Sequence, residues 1–240
     1  MLLTTGLLIY EINGQQIALS EETFHSLPIE ICSVVQPDKF FSIEAEYPQF
    51  KTAASDFNQR IADLIWGKIN EFKETSWDNW KTKLDNISSG ETLPLSPEIP
   101  FPFIASWQPT QLNNRYLSFT IKMYYFTGGA HGDEEIYAFN YDMVRNKEIH
   151  IEDFLGFSQE ALKKISEISA KDIMSQLQCK GWEEVTHLKE MVNDGAAPVF
   201  DNFGNFNFDS YSLIIYFQKY QVAPGAAGLL TVTISRTILE

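Results

Sequence analysis

The sequence predicts an α+β fold, with antiparallel sheet and about three packed helices, on three observations. Period-two apolar alternation recurs in segments separated by short turns, apolar residues at helical spacing fall in separate blocks, and no regular strand-helix-strand alternation links them. With 44% hydrophobic and 14% aromatic residues among 240, the composition suits a packed core rather than a disordered chain. The length allows one large domain or two small ones.

Taken in order, Leu7 to Ile12 reads as a strand, Asn13-Gly14 as a hairpin turn, and a third strand precedes residue 36. Phe40 to Glu46 places Phe41, Ile43 and Ala45 on one side, and Tyr47-Pro48 is expected to end it because proline donates nothing to a ladder. Phe57, Ile61, Leu64, Ile65, Ile69 and Phe72 follow at helical spacing, with Ser55 or Asp56 as N-cap. Trp77 and Trp80 continue or follow this helix. Pro94, Pro97, Pro100, Pro102 and Pro109, preceded by Ser88-Ser89-Gly90, then mark an extended connection. The expected organisation is a smaller α/β subdomain over 1–90, a proline-rich connection over 91–110 and an α+β domain over 111–240.

In that larger part, Leu117, Phe119, Ile121, Met123 and Tyr125 share one face of a long strand from Tyr116 to Phe126. A loop from Thr127 to Asp133 leads to a second strand through Ile136, Ala138 and Asn140, and Asn146-Lys147 turns into a short strand, Glu148 to Ile151. Ser158 caps a second helix with Leu162, Ile165, Ile168, Ile173 and Leu177 on its apolar stripe. A third carries Trp182, Val185, Leu188 and Val192 and stops at Asn193-Asp194-Gly195. Tyr211 to Phe217 and Leu229 to Ile234 close the chain as strands.

The 32 acidic and 18 basic residues give a net charge of −14, which argues against nucleic acid and against an acidic membrane surface. A basic partner, a neutral glycan or simple solubility suits it better. No apolar run is long enough to span a membrane, and with no Lys or Arg before Lys39 the first residues do not read as a signal peptide. Cys32 and Cys179 are the only cysteines. Two free thiols and a single disulfide both remain open.

The segment Gly128-Gly129-Ala130-His131-Gly132-Asp133 is the most unusual local feature. His131 with Asp133 can orient a proton donor or help bind a metal; alternatively this is a wide loop in which His131 folds back on the backbone or a carboxylate and is largely buried. It is not a phosphate-binding loop, since it joins two strands and lacks the Lys-Ser/Thr pair. Glu184 and His187, with Glu183 and Glu190, read as a solvated helix face, and His25 and His150 stand alone. No HExxH or GxSxG occurs. Glu134-Glu135 and Glu152-Asp153 have the residue types for glycoside hydrolysis, though adjacent acids are expected among 32. Tyr124, Tyr125, Phe126, Tyr137 and Tyr141 flank the loop and can stack on a sugar or fill the core. The expectation is no catalytic residues, no metal and no cofactor.

The run Tyr124-Tyr125-Phe126-Thr127-Gly128-Gly129-Ala130-His131-Gly132, followed by Asn140-Tyr141-Asp142, Lys147 and Glu152-Asp153-Phe154-Leu155, resembles the signature of the RsiV-type domain of unknown function. Tyr216-Phe217 with Tyr220, Val222, Ala223, Pro224 and Ala227-Gly228 is similar to its closing motif. Upstream, Ile43-Glu44-Ala45-Glu46-Tyr47-Pro48-Gln49 with Asn58 and Ile61 is similar to the smaller domain that usually precedes it. The resemblance implies an extracytoplasmic, periplasmic or secreted module of the cell envelope, as in lysozyme-sensing anti-sigma factors and beside the catalytic domain of some peptidoglycan deacetylases, with any signal peptide removed. On that footing the protein is a non-catalytic binding module whose partner is a basic protein such as lysozyme, or peptidoglycan. The binding candidates are Tyr125, Gly128, Gly129, His131, Asp133, Tyr141 and Tyr220. A hydrolase or deacetylase centred on the loop is the alternative, and a concave pocket converging on His131 with nearby carboxylates is what favours it. The implied oxidising compartment also permits a Cys32–Cys179 bridge.

Overall fold

The computed structural model describes residues 7–12 and 15–20 as backbone, and residues 28–85, 97–182 and 186–239 in full. Strands β1 (Leu7–Ile12) and β2 (Gln15–Ser20) pair antiparallel, Ile12 opposite Gln15. The turn expected at Asn13-Gly14 lies outside the described residues. β3 (Ile29–Pro37), β4 (Phe41–Phe50), β5 (Phe101–Leu112), β6 (Tyr116–Tyr125), β7 (Asp133–Asp142) and β8 (Lys147–Glu148) form a six-stranded sheet in chain order. The helices are α1 (Ser55–Asp85), α2 (Ile151–Phe154), α3 (Gln159–Cys179) and α4 (Leu188–Gly195). β9 (Phe206–Phe208), β10 (Ser212–Phe217) and β11 (Leu230–Ser235) make a second, antiparallel sheet in the order β11-β10-β9. The fold is α+β.

The chain folds as two compact units. One is Pro28–Trp107 with Ile121–Glu134; the other is Gln108–Thr120 with Glu135–Glu240, and the β1–β2 hairpin goes with it.

In the first unit β4 is antiparallel to β3 but parallel to β5, Phe41 to Ala45 lying opposite Phe101 to Ala105. The parallel pair requires a crossover, and α1 supplies it, so the expectation of antiparallel strands alone is corrected at this point. Half of the proline-rich connection is therefore strand β5. β4 also runs past Pro48 to Phe50. Its pairing with β5 runs from Phe41 to Ala45, so Pro48 lies beyond it, paired with Ile31 of β3, and a missing donor is tolerated there. Phe57, Ile61, Ile65, Ile69, Phe72, Ser76 and Trp80 form the buried stripe of α1, spaced three or four residues apart, so both tryptophan-bearing turns belong to one helix. The stripe packs through ring contacts, Phe72 with Phe41 at 5.6 Å and with Phe103 at 5.4 Å, Trp80 with Phe101 at 6.3 Å.

In the second unit α3 and α4 cover the three-stranded sheet. Leu162, Ile165, Ile173, Leu177, Leu188 and Val192 join Leu213, Ile215, Phe217, Val232 and Ile234 in one core. Ser158 caps α3 as expected, its Oγ accepting the Ala161 amide at 3.1 Å. The helix stops in a Schellman arrangement: the Trp182 amide donates to Leu177 O, Gly181 to Gln178 O, and Gly181 takes φ +77. Trp182 therefore ends α3 and is not the first turn of the next helix, which begins at Leu188; Val185 lies outside the described residues. The short strand expected over Glu148 to Ile151 is Lys147–Glu148, and Ile151 instead opens the short α2.

Buried polar side chains stitch β9 to β6 and β7 within this unit. Asn140 accepts from Ser118 Oγ at 2.7 Å and donates to Phe206 O at 2.7 Å, while Asn207 Nδ2 donates to Phe119 O at 3.0 Å. Buried amides without such partners would be costly. Cys32, opposite Tyr47 on β3, and Cys179, at the exposed end of α3, are both free thiols. The bridge permitted by the implied compartment is not formed; the two sulfurs belong to different units.

Candidate functional site

The glycine-rich loop closes one side of a concave cleft in the first unit, of about 280 Å³, lined by Lys68, Glu71, Phe72, Thr75, Tyr125, Thr127, His131 and Asp133. Three of the seven sequence-derived candidates, Tyr125, His131 and Asp133, meet in it. The remaining wall comes from α1, and the sequence reading assigned none of Lys68, Glu71 or Thr75 a role. A signal existed: 68, 71, 72 and 75 fall at spacings of three and four, so they share one flank of the helix beside the apolar stripe.

The loop is anchored from the helix. Asn79 Nδ2 donates to the Thr127 carbonyl at 2.9 Å and contacts its Oγ1 at 3.2 Å, and the Phe126 amide donates to Pro102 O at 3.0 Å. Gly128 is buried with φ +88, and a Cβ there would lie 2.8 Å from Phe101 Cζ. It is a glycine because the chain turns left-handed directly over a ring. Gly132 lies against Tyr124, with a built Cβ 2.5 Å from the hydroxyl oxygen; Gly129 has nothing within 4 Å. Of the binding candidates, Gly128 and Gly129 thus shape the loop without lining the cleft.

His131 is exposed, which corrects the expectation that it is largely buried. The loop is held from its first residue, through Asn79 at Thr127 O, so His131 is not needed inside to anchor it. The Nδ1 of His131 lies 2.9 Å from its neighbour's carbonyl, Gly132 O. Asp133 Oδ1 accepts the Glu134 amide at 2.9 Å, and Glu71 pairs with Lys68 at 3.2 Å. Tyr125 stacks on Phe103, ring centroids 6.2 Å apart and planes 14° from parallel, so its ring is held in place. Among the described residues no three His, Cys, Asp or Glu converge as a metal-binding set.

Tyr141 and Tyr220 are not in this cleft; both belong to the second unit. Tyr141 is buried, 1% exposed, and its hydroxyl donates to Asn146 Oδ1 at 2.8 Å, so it braces the turn where Asn146 takes φ +54. Tyr220 is exposed, has φ +68 and lies over Gly225. Of the helix-face acids, Glu183 and Glu184 lie outside the described residues, as does His25; His187 pairs with Glu190 at 2.7 Å, both exposed. Of Glu152 and Asp153, Asp153 takes a bond from Lys147 at 2.9 Å, and that ammonium holds its carboxyl below the usual range.

Residues 34–134 match the family described as "Deacetylase PdaC", and residues 152–237 match "Protein of unknown function (DUF3298)". The first match ends at Glu134, where the first unit ends, and it contains the whole cleft. The glycine-rich motif therefore falls in the deacetylase-associated part, and the DUF3298 match begins downstream of it. Over 213 residues the chain is 24% identical to the peptidoglycan-N-acetylmuramic acid deacetylase PdaC of Bacillus subtilis. That similarity covers 88% of this chain and 41% of the relative, so the chain spans about two-fifths of that protein's length. Two crystal structures share the fold at 16% identity, each over 89% of this chain and 92% of the other: a DUF3298-family protein from Bacteroides fragilis, TM-score 0.58, and one from Pseudomonas aeruginosa, TM-score 0.51.

Proposed function

We propose that this chain is a non-catalytic, extracytoplasmic binding module of the cell envelope, and that its cleft takes a segment of peptidoglycan. One observation carries the binding reading over a catalytic one. The three titratable groups that give the cleft its enzymatic look each have a local partner: His131 Nδ1 with Gly132 O, Asp133 Oδ1 with the Glu134 amide, Glu71 with Lys68. Beside them the ring of Tyr125, stacked on Phe103, stands with Thr75, Thr127 and Lys68 as a mixed apolar and hydrogen-bonding wall. Such a wall suits a sugar, which offers apolar faces and hydroxyl edges. The PdaC match over the cleft points to the same polymer. A relative whose whole length acts on peptidoglycan has room elsewhere for its chemistry, since this chain matches 41% of it.

The experiment is titration with soluble peptidoglycan fragments and, separately, with lysozyme, at low and high salt. Saturable fragment binding, weakened about tenfold or more by Tyr125→Ala, is expected. Binding of lysozyme alone, collapsing as salt rises, would move the partner to a basic protein drawn by the −14 charge. Absence of saturation with either ligand would sink the reading.

One observation favours a second reading. The cleft is concave and brings Glu71 and Asp133 to its wall with His131, the arrangement that favours a hydrolase or deacetylase. A proton on Nδ1, bonded to Gly132 O, leaves Nε2 as the basic nitrogen. Acetate release from N-acetylated glycan, lost in His131→Ala, would establish that activity.

A further inference from the structure

The second unit carries a separate cavity, of about 160 Å³, where the chain's scarce cations gather. Arg145 and Lys147, at either side of the turn before β8, and Arg236, after β11, line it together with Asp142, Asp153 and Phe154. Three cations at one cavity are unexpected in a chain with 18 basic and 32 acidic residues. The two carboxylates do not use them up. Asp142 spends Oδ1 on the amides of Val144 and Arg145, both at 2.9 Å, and its Oδ2 lies 3.9 Å from Arg145 Nε; Asp153 pairs with Lys147 at 2.9 Å. Arg236 is the cation in excess. Among the described residues it has no carboxylate partner, yet its guanidinium is positioned twice, donating from Nη1 to Asp209 O at 3.0 Å and lying 5.4 Å above the Phe154 ring. A guanidinium so fixed keeps further N–H donors in one plane, the geometry that grips a carboxylate.

We infer that this cavity binds a single carboxylate carried on a small apolar group, the carboxylate on Arg236 and the apolar part against Phe154. The charge count selects the class: three cations against two carboxylates leave one positive charge, which matches a monoanion better than a phosphate dianion. Size selects the rest. Pockets that enclose a whole drug-sized ligand run to about 300–1,000 Å³, so this one takes the end group of a longer molecule, such as the terminal residue of a peptide. The site shares no residue with the cleft of the first unit and stands whether or not that cleft binds glycan.

Calorimetry of the full chain with N-acetylalanine, N-acetylalanine amide and inorganic phosphate tests this. N-acetylalanine is expected to saturate, with the uncharged amide about tenfold weaker or more, and phosphate weaker than the carboxylate. Arg236→Gln should abolish the binding, and Arg236→Lys, which keeps the charge and the fold but loses the planar fork, should weaken it about tenfold. Lys163→Gln, a cation on α3 away from the cavity, should leave it unchanged. Equal binding of the amide, preference for phosphate, no saturation, or full binding by Arg236→Lys would each overturn the inference.

Discussion

At Gly128 a single hydrogen decides the shape of the loop. Its φ of +88 is costly for any side chain, and a Cβ would press on Phe101, a buried ring that also meets Trp80 and Phe126 at 6.3 and 5.7 Å. Gly128→Ala is therefore expected to cost about 1–3 kcal/mol in a urea melt and to weaken ligand binding in the cleft, because the displaced loop carries His131 and Asp133. Gly129→Ala, with nothing within 4 Å and no positive φ, should be close to neutral. Equal costs at the two positions would refute this account of the loop. The sequence marked both glycines alike, since a run of glycines shows that freedom is used without showing where. At His131 the expected bond to backbone is present, to Gly132 O, and the expected burial is not: what anchors a loop depends on what the fold brings beside it, here Asn79, 48 residues upstream of Thr127.

Between elements, the side chain of Asn58 clamps the junction of β4 and α1. Asn58, in the first turn of α1, accepts the Phe50 amide at 2.9 Å through Oδ1 and donates to the Phe50 carbonyl at 2.8 Å through Nδ2, while Gln49 Nε2 donates to the Asn58 carbonyl at 3.0 Å. The side-chain amide thus copies a strand partner where β4 runs out, and it fixes the angle at which the helix leaves. Asn58→Ala removes both bonds that this side chain makes to Phe50, while the Phe50 carbonyl keeps the Ala53 amide at 3.1 Å, so a loss of about 1–3 kcal/mol is expected; Asn58→Asp keeps the acceptor but loses the donor and should not restore full stability. Thermal melts of the three proteins check it, and an Asp variant as stable as the parent would refute the two-bond clamp. The apolar stripe made α1 legible as far as Phe72 and left open whether Trp77 and Trp80 continue or follow it; they continue it. What the stripe hid was the polar flank at Lys68, Glu71 and Thr75, because residues beside a core face look the same whether they line a cleft or meet bulk water.

Over the whole molecule, neither unit is a continuous stretch of chain. The first unit needs Ile121–Glu134 after the chain has left it at Trp107, and those residues supply Tyr125 to stack on Phe103, Phe126 to meet Phe101 at 5.7 Å, and the amide of Phe126 for Pro102 O. A composition shift such as the proline cluster can suggest a single cut, but it is blind to a return of the chain, which depends on sheet pairing between distant segments. The consequence is measurable. A fragment of residues 28–107 retains β3, β4, α1 and the start of β5, yet leaves the Phe101 and Phe103 rings uncovered on the side that residues 121–134 occupy. It is expected to melt without a cooperative transition and to bind apolar dyes, whereas a fragment of residues 28–134 regains that cover and should melt more sharply. Cooperative unfolding of the shorter fragment, with a midpoint equal to the longer one's, would show that Ile121–Glu134 is an accessory to the first unit and that its core closes without it.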